Sequence, residues 1–140
     1  MSLPKFNEIN EGYEIPILTK EPITRLQLIR YAGASGDFNP IHTITANAKE
    51  AGLDGTIAHG MLIMGVLGQM ITNWAGIKNV KSYSVVFKAM TKPGDILTSK
   101  GIVKKKYENE NGKFVDCKIS IEDAKGEVKI DGKFTVKFDS

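Results

Sequence analysis

Cysteine is nearly absent: Cys117 stands alone among 140 residues. One thiol closes no intrachain disulfide, which excludes a small disulfide-framed secreted domain. Long apolar runs are lacking as well. The longest, Met61 to Ile71, is interrupted by Gly65, Gly68 and Gln69. It falls well short of the roughly 20 residues a helix needs to cross a bilayer. Met1 to Lys5 holds no apolar stretch of the signal-peptide kind, so the expectation is a cytoplasmic chain that engages no membrane. Neither charge sign dominates, with 19 Lys and Arg against 16 Asp and Glu and a net charge of +3. Apolar residues make up 41% and charged residues 25%, close to the globular averages of roughly 45–50% and about 25%. Disordered and collagen-like chains are thereby excluded. The length suits one domain spanning 1–140, large enough to bury a core without staples.

What charge there is divides unevenly. Residues 1–76 carry five basic and seven acidic side chains, and residues 77–140 carry fourteen and nine. A solvated sheet face accounts for the positive half; so would a phosphate-bearing ligand or an acidic partner.

The patterning changes along the chain at about the same point. Tyr13, Ile15 and Ile17 alternate with polar residues or Pro, the mark of a short edge strand whose pairing Pro16 and Pro22 limit. Thr24 followed by Gln27 is a capping-box pattern and opens a helix toward Tyr31. Gly33, Gly36 and Pro40 end it, leaving Ser35 to His42 as a loop. Thr45 to Ala51 reads as a short helix stopped by Gly52. Gly60 to Trp74 is apolar around most of its circumference, so a buried helix is expected, with Gly76 as its C-terminal stop. From residue 77 onward the period is two. Val115, Cys117, Ile119 and Ile121 form one apolar face, and Ile130, Phe134, Val136 and Phe138 another, with Lys129, Asp131 and Lys133 on the wet side. Asn111-Gly112 is read as a two-residue hairpin turn, and Asp123 to Gly126 as the next turn. One long helix on an antiparallel meander makes an α+β fold, the helix covering the sheet's apolar face.

Two segments carry chemistry. Tyr31 to His42 includes Asp37, Asn39, Pro40 and His42 in a loop that Pro40 stiffens. A carboxylate and an imidazole converging on one water make a general acid/base pair. The same residues equally fit a turn-capping Asp37 and a satisfied loop histidine. The second segment is Ile57 to Leu62, where the chain runs into the buried helix. Its first amides are unpaired at the positive end of the dipole, and Gly60 leaves them uncovered, as an oxyanion hole requires. His59 beside it reads as a packing or hydrogen-bonding residue.

Together these segments resemble the MaoC-like, or hydratase 2, family of the hot-dog superfamily. Tyr31 to His42 looks like its signature, Ala58-His59-Gly60-Met61-Leu62 like its helix opening, and Pro93-Gly94-Asp95 like its turn before a central strand. The likeness covers most of the chain from Tyr13. Tyr31 to Gly76 is also similar to the catalytic subunit of bacterial 3-hydroxyacyl-thioester dehydratase. The resemblance implies a single hot-dog unit that hydrates trans-2-enoyl thioesters of CoA or acyl-carrier protein to (R)-3-hydroxyacyl thioesters, or runs the reverse. By residue match Asp37 and His42 would activate the water, the Gly60 amide would bind the thioester oxygen, and Ser35 and Asn39 would orient the loop. An acyl chain starting at Gly60 would follow the helix past Met64, Leu67, Gly68 and Ile71. No cofactor and no metal are implied. A lone unit leaves a sheet edge to cover, so a homodimer is expected. This chain departs from the family in having Val86-Phe87-Lys88 where many members carry Arg-Phe.

Other classes fit less well. A hot-dog thioesterase usually carries a carboxylate on the central helix, and Met61 to Ile71 has none. A non-catalytic partner subunit has no call for both Asp37 and His42. Lys104-Lys105-Lys106 alone does not make a nucleic-acid binder. A zinc site from Asp37, His42 and His59 lacks the thiolates and spacing of such sites.

Overall fold

The chain is described by a computed structural model over residues 3–139. Helix α1 (Arg25–Ser35) starts where expected, because the Thr24 hydroxyl accepts the Gln27 amide at 3.0 Å. It runs further than the sequence suggested. Gly33 is tolerated inside it, and Ser35 is its last residue rather than part of a loop. The stop comes at Gly36, whose φ of +77° suits glycine and whose amide returns to the Ala32 carbonyl. Pro40 to His42 forms one 3-10 turn, so the irregular loop shrinks to residues 36–39. Helix α2 (Thr45–Glu50) and the long helix α3 (Gly60–Ala75) follow, with Gly76 after α3.

Five strands, β1 (Glu14–Thr19), β2 (Val80–Phe87), β3 (Thr98–Asn109), β4 (Gly112–Glu122) and β5 (Val128–Phe138), form one antiparallel sheet in the order β1-β3-β4-β5-β2. The register of β1 against β3 shifts between Ile15 and Leu18, the stretch containing Pro16. The β3–β4 hairpin differs from expectation by one residue. Asn109 pairs with Gly112, so Glu110 and Asn111 make the turn. Gly112, at φ +132°, supplies the backbone shape that brings the chain back into the strand.

Helix α3, about 24 Å long at 1.5 Å per residue, packs Ile63, Val66, Leu67, Met70, Ile71 and Trp74 into the core. The sheet answers with Val103, Val115, Cys117, Ile119, Ile121, Ile130, Phe134 and Val136. A side chain such as Leu67, with no exposed surface, contributes about 1.5–3 kcal/mol by leaving water. The helix is not buried all round, however. Met61, Gly65, Gln69 and Asn73, four residues apart, form an exposed stripe. The sheet has one face to offer and covers only one side of a 16-residue cylinder. Among the described residues, no helix is long and apolar enough to cross a membrane.

Candidate active site

Local hydrogen bonding folds the loop after α1 onto itself. The Asp37 amide donates to Ser35 Oγ at 3.1 Å, the Asn39 amide to Asp37 Oδ1 at 3.2 Å, and the Ile41 amide to Asn39 Oδ1 at 3.2 Å. Each short polar side chain thus takes the amide two residues on. This leaves Asp37 Oδ2 free of the loop. It faces His42 Nε2 at 3.7 Å, with the Asp37 side chain 49% exposed and that of His42 only 9%. The gap is too long for a direct hydrogen bond. One water donating a hydrogen to each atom spans it.

The state of His42 follows from its other nitrogen. Nδ1 lies 2.7 Å from the Ile57 carbonyl oxygen, which can only accept. Nδ1 therefore carries the hydrogen, and in the neutral ring Nε2 keeps its lone pair toward Asp37. His59, 1% exposed, stacks on His42 with ring centroids 3.8 Å apart and an interplanar angle of 22°. Its Nε2 donates to the Asp37 carbonyl at 3.2 Å, its Nδ1 is buried without a partner among the described residues, and Tyr31 meets its ring edge-on at 4.9 Å. His59 is thus the histidine on which both the loop and the His42 ring rest. A packing or hydrogen-bonding role was legible from its place beside Gly60; that it stacks on His42 was not.

Asp37, His42 and His59 bring three potential metal-ligand atoms within 4.8 Å of one another. The donor set suits a metal poorly. The two ring planes are stacked within 22° of each other, and Nδ1 of His42 and Nε2 of His59 already serve backbone carbonyls.

Gly60 is the first residue of α3, and His59 before it makes no side-chain cap. Among the described residues no hydrogen bond takes the Gly60 amide. The reason for glycine is on the other side of its Cα. A Cβ there would lie 3.0 Å from Phe87 Cε1, so a methyl fits only if the half-exposed Phe87 ring gives by a few tenths of an ångström. A hollow of about 390 Å³ opens at this point, lined by His42, Ile57, Gly60, Phe87, Met90 and Thr91 among others. A larger one of about 750 Å³ lies across β1, β3, β4 and β5, lined by Lys100, Lys118 and Asp131 among others, and holds none of these groups.

Of the four residues expected along an acyl chain, the structure brings two to a common groove. Gly68 and Ile71, with Gly65, Val80 and Tyr83, line a cleft of about 350 Å³ between α3 and β2. Leu67 does not reach it, because its turn of the helix points at the sheet and buries it completely. Met64 does not line it either; its carbonyl accepts the Tyr83 hydroxyl at 2.7 Å. Burial raises the Tyr83 phenol above its ordinary pKa and so keeps that hydrogen in place. A Cβ on Gly68 would meet Tyr83 Cε2 at 3.4 Å, an ordinary contact. Packing alone does not demand glycine there. Cys117 is buried, and burial with the neighbouring Asp116 charge pushes its thiol up to about 12, which makes it a core residue and no nucleophile.

Residues 10–124 match the family described as MaoC like domain. The chain is 36% identical over 93 residues to the fatty acid synthase subunit beta of Saccharomyces cerevisiae, a match covering 64% of this chain and 4% of that protein. The chain therefore corresponds to a small part of the curated relatives it matches. Its fold is shared with an (R)-hydratase from A. caviae involved in PHA biosynthesis, at TM-score 0.80 and 23% identity over 93% of this chain and 97% of the other. A solved MaoC-like dehydratase superposes at TM-score 0.86 with 29% identity, over 97% of this chain and 42% of that one. The long helix on its five-stranded sheet is the hot-dog fold.

Proposed function

The chain belongs to the MaoC-like domain family, and from that premise we propose that it is an (R)-specific hydratase of trans-2-enoyl thioesters, working reversibly on CoA or acyl-carrier-protein substrates in fatty acid metabolism. One observation carries the reading: the Nδ1–H of His42 is committed to the Ile57 carbonyl, so the lone pair on Nε2 faces Asp37 Oδ2 across 3.7 Å. A water held there loses a proton to Nε2 as its oxygen bonds to Cβ of the enoyl group. The Asp37 carboxylate accepts a hydrogen bond from the water's second hydrogen, which stays on the new hydroxyl, and balances the imidazolium. Negative charge moves to the thioester oxygen, where the unpaired Gly60 amide at the positive end of α3 meets it. The imidazolium then returns its proton to Cα, so water is added and nothing else is consumed. Ser35 and Asn39 hold the loop, and the acyl chain runs along the Gly68–Ile71 cleft. No cofactor enters the scheme.

The reading treats 1–140 as one domain of a cytoplasmic homodimer. Strand β2 is a sheet edge that exposes Val86 and Phe87, and beside it α3 exposes Met61 and Gly65. A second copy pairing along β2 covers these apolar surfaces at once. Mixing the pure chain with crotonyl-CoA and with longer enoyl-CoAs tests the activity. The absorbance of the conjugated thioester should fall, with the (R)-3-hydroxyacyl product on chiral analysis. No loss with any enoyl thioester overturns the reading. Light scattering should give twice the chain mass; a fully active monomer removes the dimer.

A further inference from the structure

Lys129 lies on the side of β5 that the alternating pattern assigns to water, together with Asp131 and Lys133. It is nonetheless 3% exposed. A lysine so deeply buried is costly unless its ammonium is fully engaged, and here it is. Nζ donates to the Met90 carbonyl at 2.8 Å and to Glu127 Oε1 at 2.5 Å, with Asp123 Oδ2 at 3.4 Å and Asp95 Oδ2 at 3.7 Å. The Lys129 carbonyl in turn accepts the amides of Lys88 and Ala89 at 2.9 and 3.3 Å. One residue thus grips the segment 88–90 from its backbone and from its side chain. Among the described residues no other side chain bonds the backbone of 88–91.

That segment leans on the site. The Thr91 carbonyl accepts the Ala58 amide at 2.8 Å, and Met90 and Thr91 line the same hollow as His42 and Gly60. Ala58 sits between Ile57, whose carbonyl sets the hydrogen on His42 Nδ1, and the Gly60 amide. Asp95, from the Pro93-Gly94-Asp95 turn, supports the arrangement by accepting the Lys92 amide at 2.9 Å while facing the ammonium.

We propose that Lys129 is a positioning residue of the site: its ammonium fixes the 88–91 strap, the strap fixes residues 57–60, and these hold His42 in its Nδ1–H form. The assignment rests on the hydratase reading for its catalytic meaning, and its test has a readout that does not depend on activity. Long-range nitrogen–proton correlation spectra report which ring nitrogen of His42 carries hydrogen. The wild type should show the Nδ1–H form alone. Lys129→Met, compared below its own melting temperature, should show a mixture of both forms. Its kcat should fall roughly 10- to 100-fold with KM changed less than threefold, a partial loss of the roughly 10²–10⁴-fold that a positioned acid/base group supplies. Lys129→Arg, which keeps the charge, should restore the wild-type ring spectrum. If Lys129→Met does not fold, Lys129→Gln replaces it with the same expectation. A folded variant without the ammonium that keeps the wild-type spectrum and kcat, and merely melts earlier, overturns the proposal. In the wild type, the Ala58 amide should exchange with solvent as one unit with those of Lys88 and Ala89. An Ala58 amide exchanging well ahead of them breaks the link whatever the variants do. A changed His42 spectrum in a protein inactive on every enoyl thioester leaves Lys129 in place and removes the hydratase reading instead.

Discussion

Two segments frame His42, and they are held in opposite ways. The loop from Gly36 to His42 is organised by its own side chains, with Ser35, Asp37 and Asn39 each taking an amide two residues away. The strap from Lys88 to Thr91 is gripped by Lys129, about forty positions along the chain. The loop's order therefore costs little chain entropy and survives in short stretches of sequence. The strap's order exists only when β5, the Asp123–Gly126 turn and the Pro93-Gly94-Asp95 turn have all come together. On the proposed reading, chemistry would reside in the locally built segment, and the accuracy of its placement would come from the remotely built one.

If that division is right, the largest effects should come from the loop and should cost little stability. Asp37→Asn should lower hydratase kcat by about 100-fold or more while the melting curve stays nearly unchanged, because the side chain is half exposed and its Oδ1 contact is available to an amide oxygen. His42→Ala should match it in kcat and also melt earlier, since His42 is buried against His59. Near-normal turnover in either variant would dissolve the distinction between the two segments.

Gly60 lies where both segments meet, and an intermediate effect is expected there. In Gly60→Ala the new methyl presses on the Phe87 ring, while the amide itself remains. A loss of about tenfold in kcat/KM is expected, below the roughly 10²–10³ that follows loss of an oxyanion donor. Adding Phe87→Ala should recover part of it. A double variant no better than the single one would mean that the ring does not set the position of the amide.

Gly68→Leu lies outside both segments and sharpens the comparison as a control. It fills the cleft beside Tyr83, so kcat/KM should fall several-fold more for an eight-carbon enoyl-CoA than for crotonyl-CoA. A uniform loss together with a large drop in melting temperature would return Gly68 to a packing role.

The smallest effect is expected at the far anchor of the strap. The Asp123 carboxyl is held below its ordinary range, chiefly by the Glu127 amide and further by the Lys125 amide and the Lys129 ammonium. A carboxyl whose folded pKa is depressed adds stability above its unfolded pKa near 3.9, and that stability is lost as pH falls through the lower folded value. The melting-temperature gap between wild type and Asp123→Asn should therefore be a few degrees at neutral pH and close below about pH 4. A gap that stays constant to pH 2 would show that the charge of Asp123 contributes nothing.

These differences also explain what is legible in the sequence alone. The helix at Gly60 and the strands after residue 77 were legible because burial on one side imposes a period of 3.6 or 2 on the residues themselves. The loop's geometry was legible because Asx and Ser turns, a proline and the acid/imidazole pair are all contacts between near neighbours. The edge character of β1 followed from Pro16, which removes a ladder donor. The end of α1 was misplaced by a few residues, because one glycine in a helix costs only about 1 kcal/mol, less than the packing of Leu28 and Ala32 returns.

The order of residues was therefore enough for the α+β class, the one-sided burial of the sheet and the pairing of Asp37 with His42 in one stiff loop. Only folding settled that Nδ1 of His42 meets the Ile57 carbonyl, that His59 stacks beneath the ring, that Phe87 closes on Gly60, that Leu67 turns into the core and away from the cleft, and that Lys129 is buried on a face patterned for water. Each of these joins residues far apart along the chain or balances a charge against several distant partners. Local periodicity records which way a residue points. What that residue meets there is supplied by a distant part of the chain, and the period carries no trace of it.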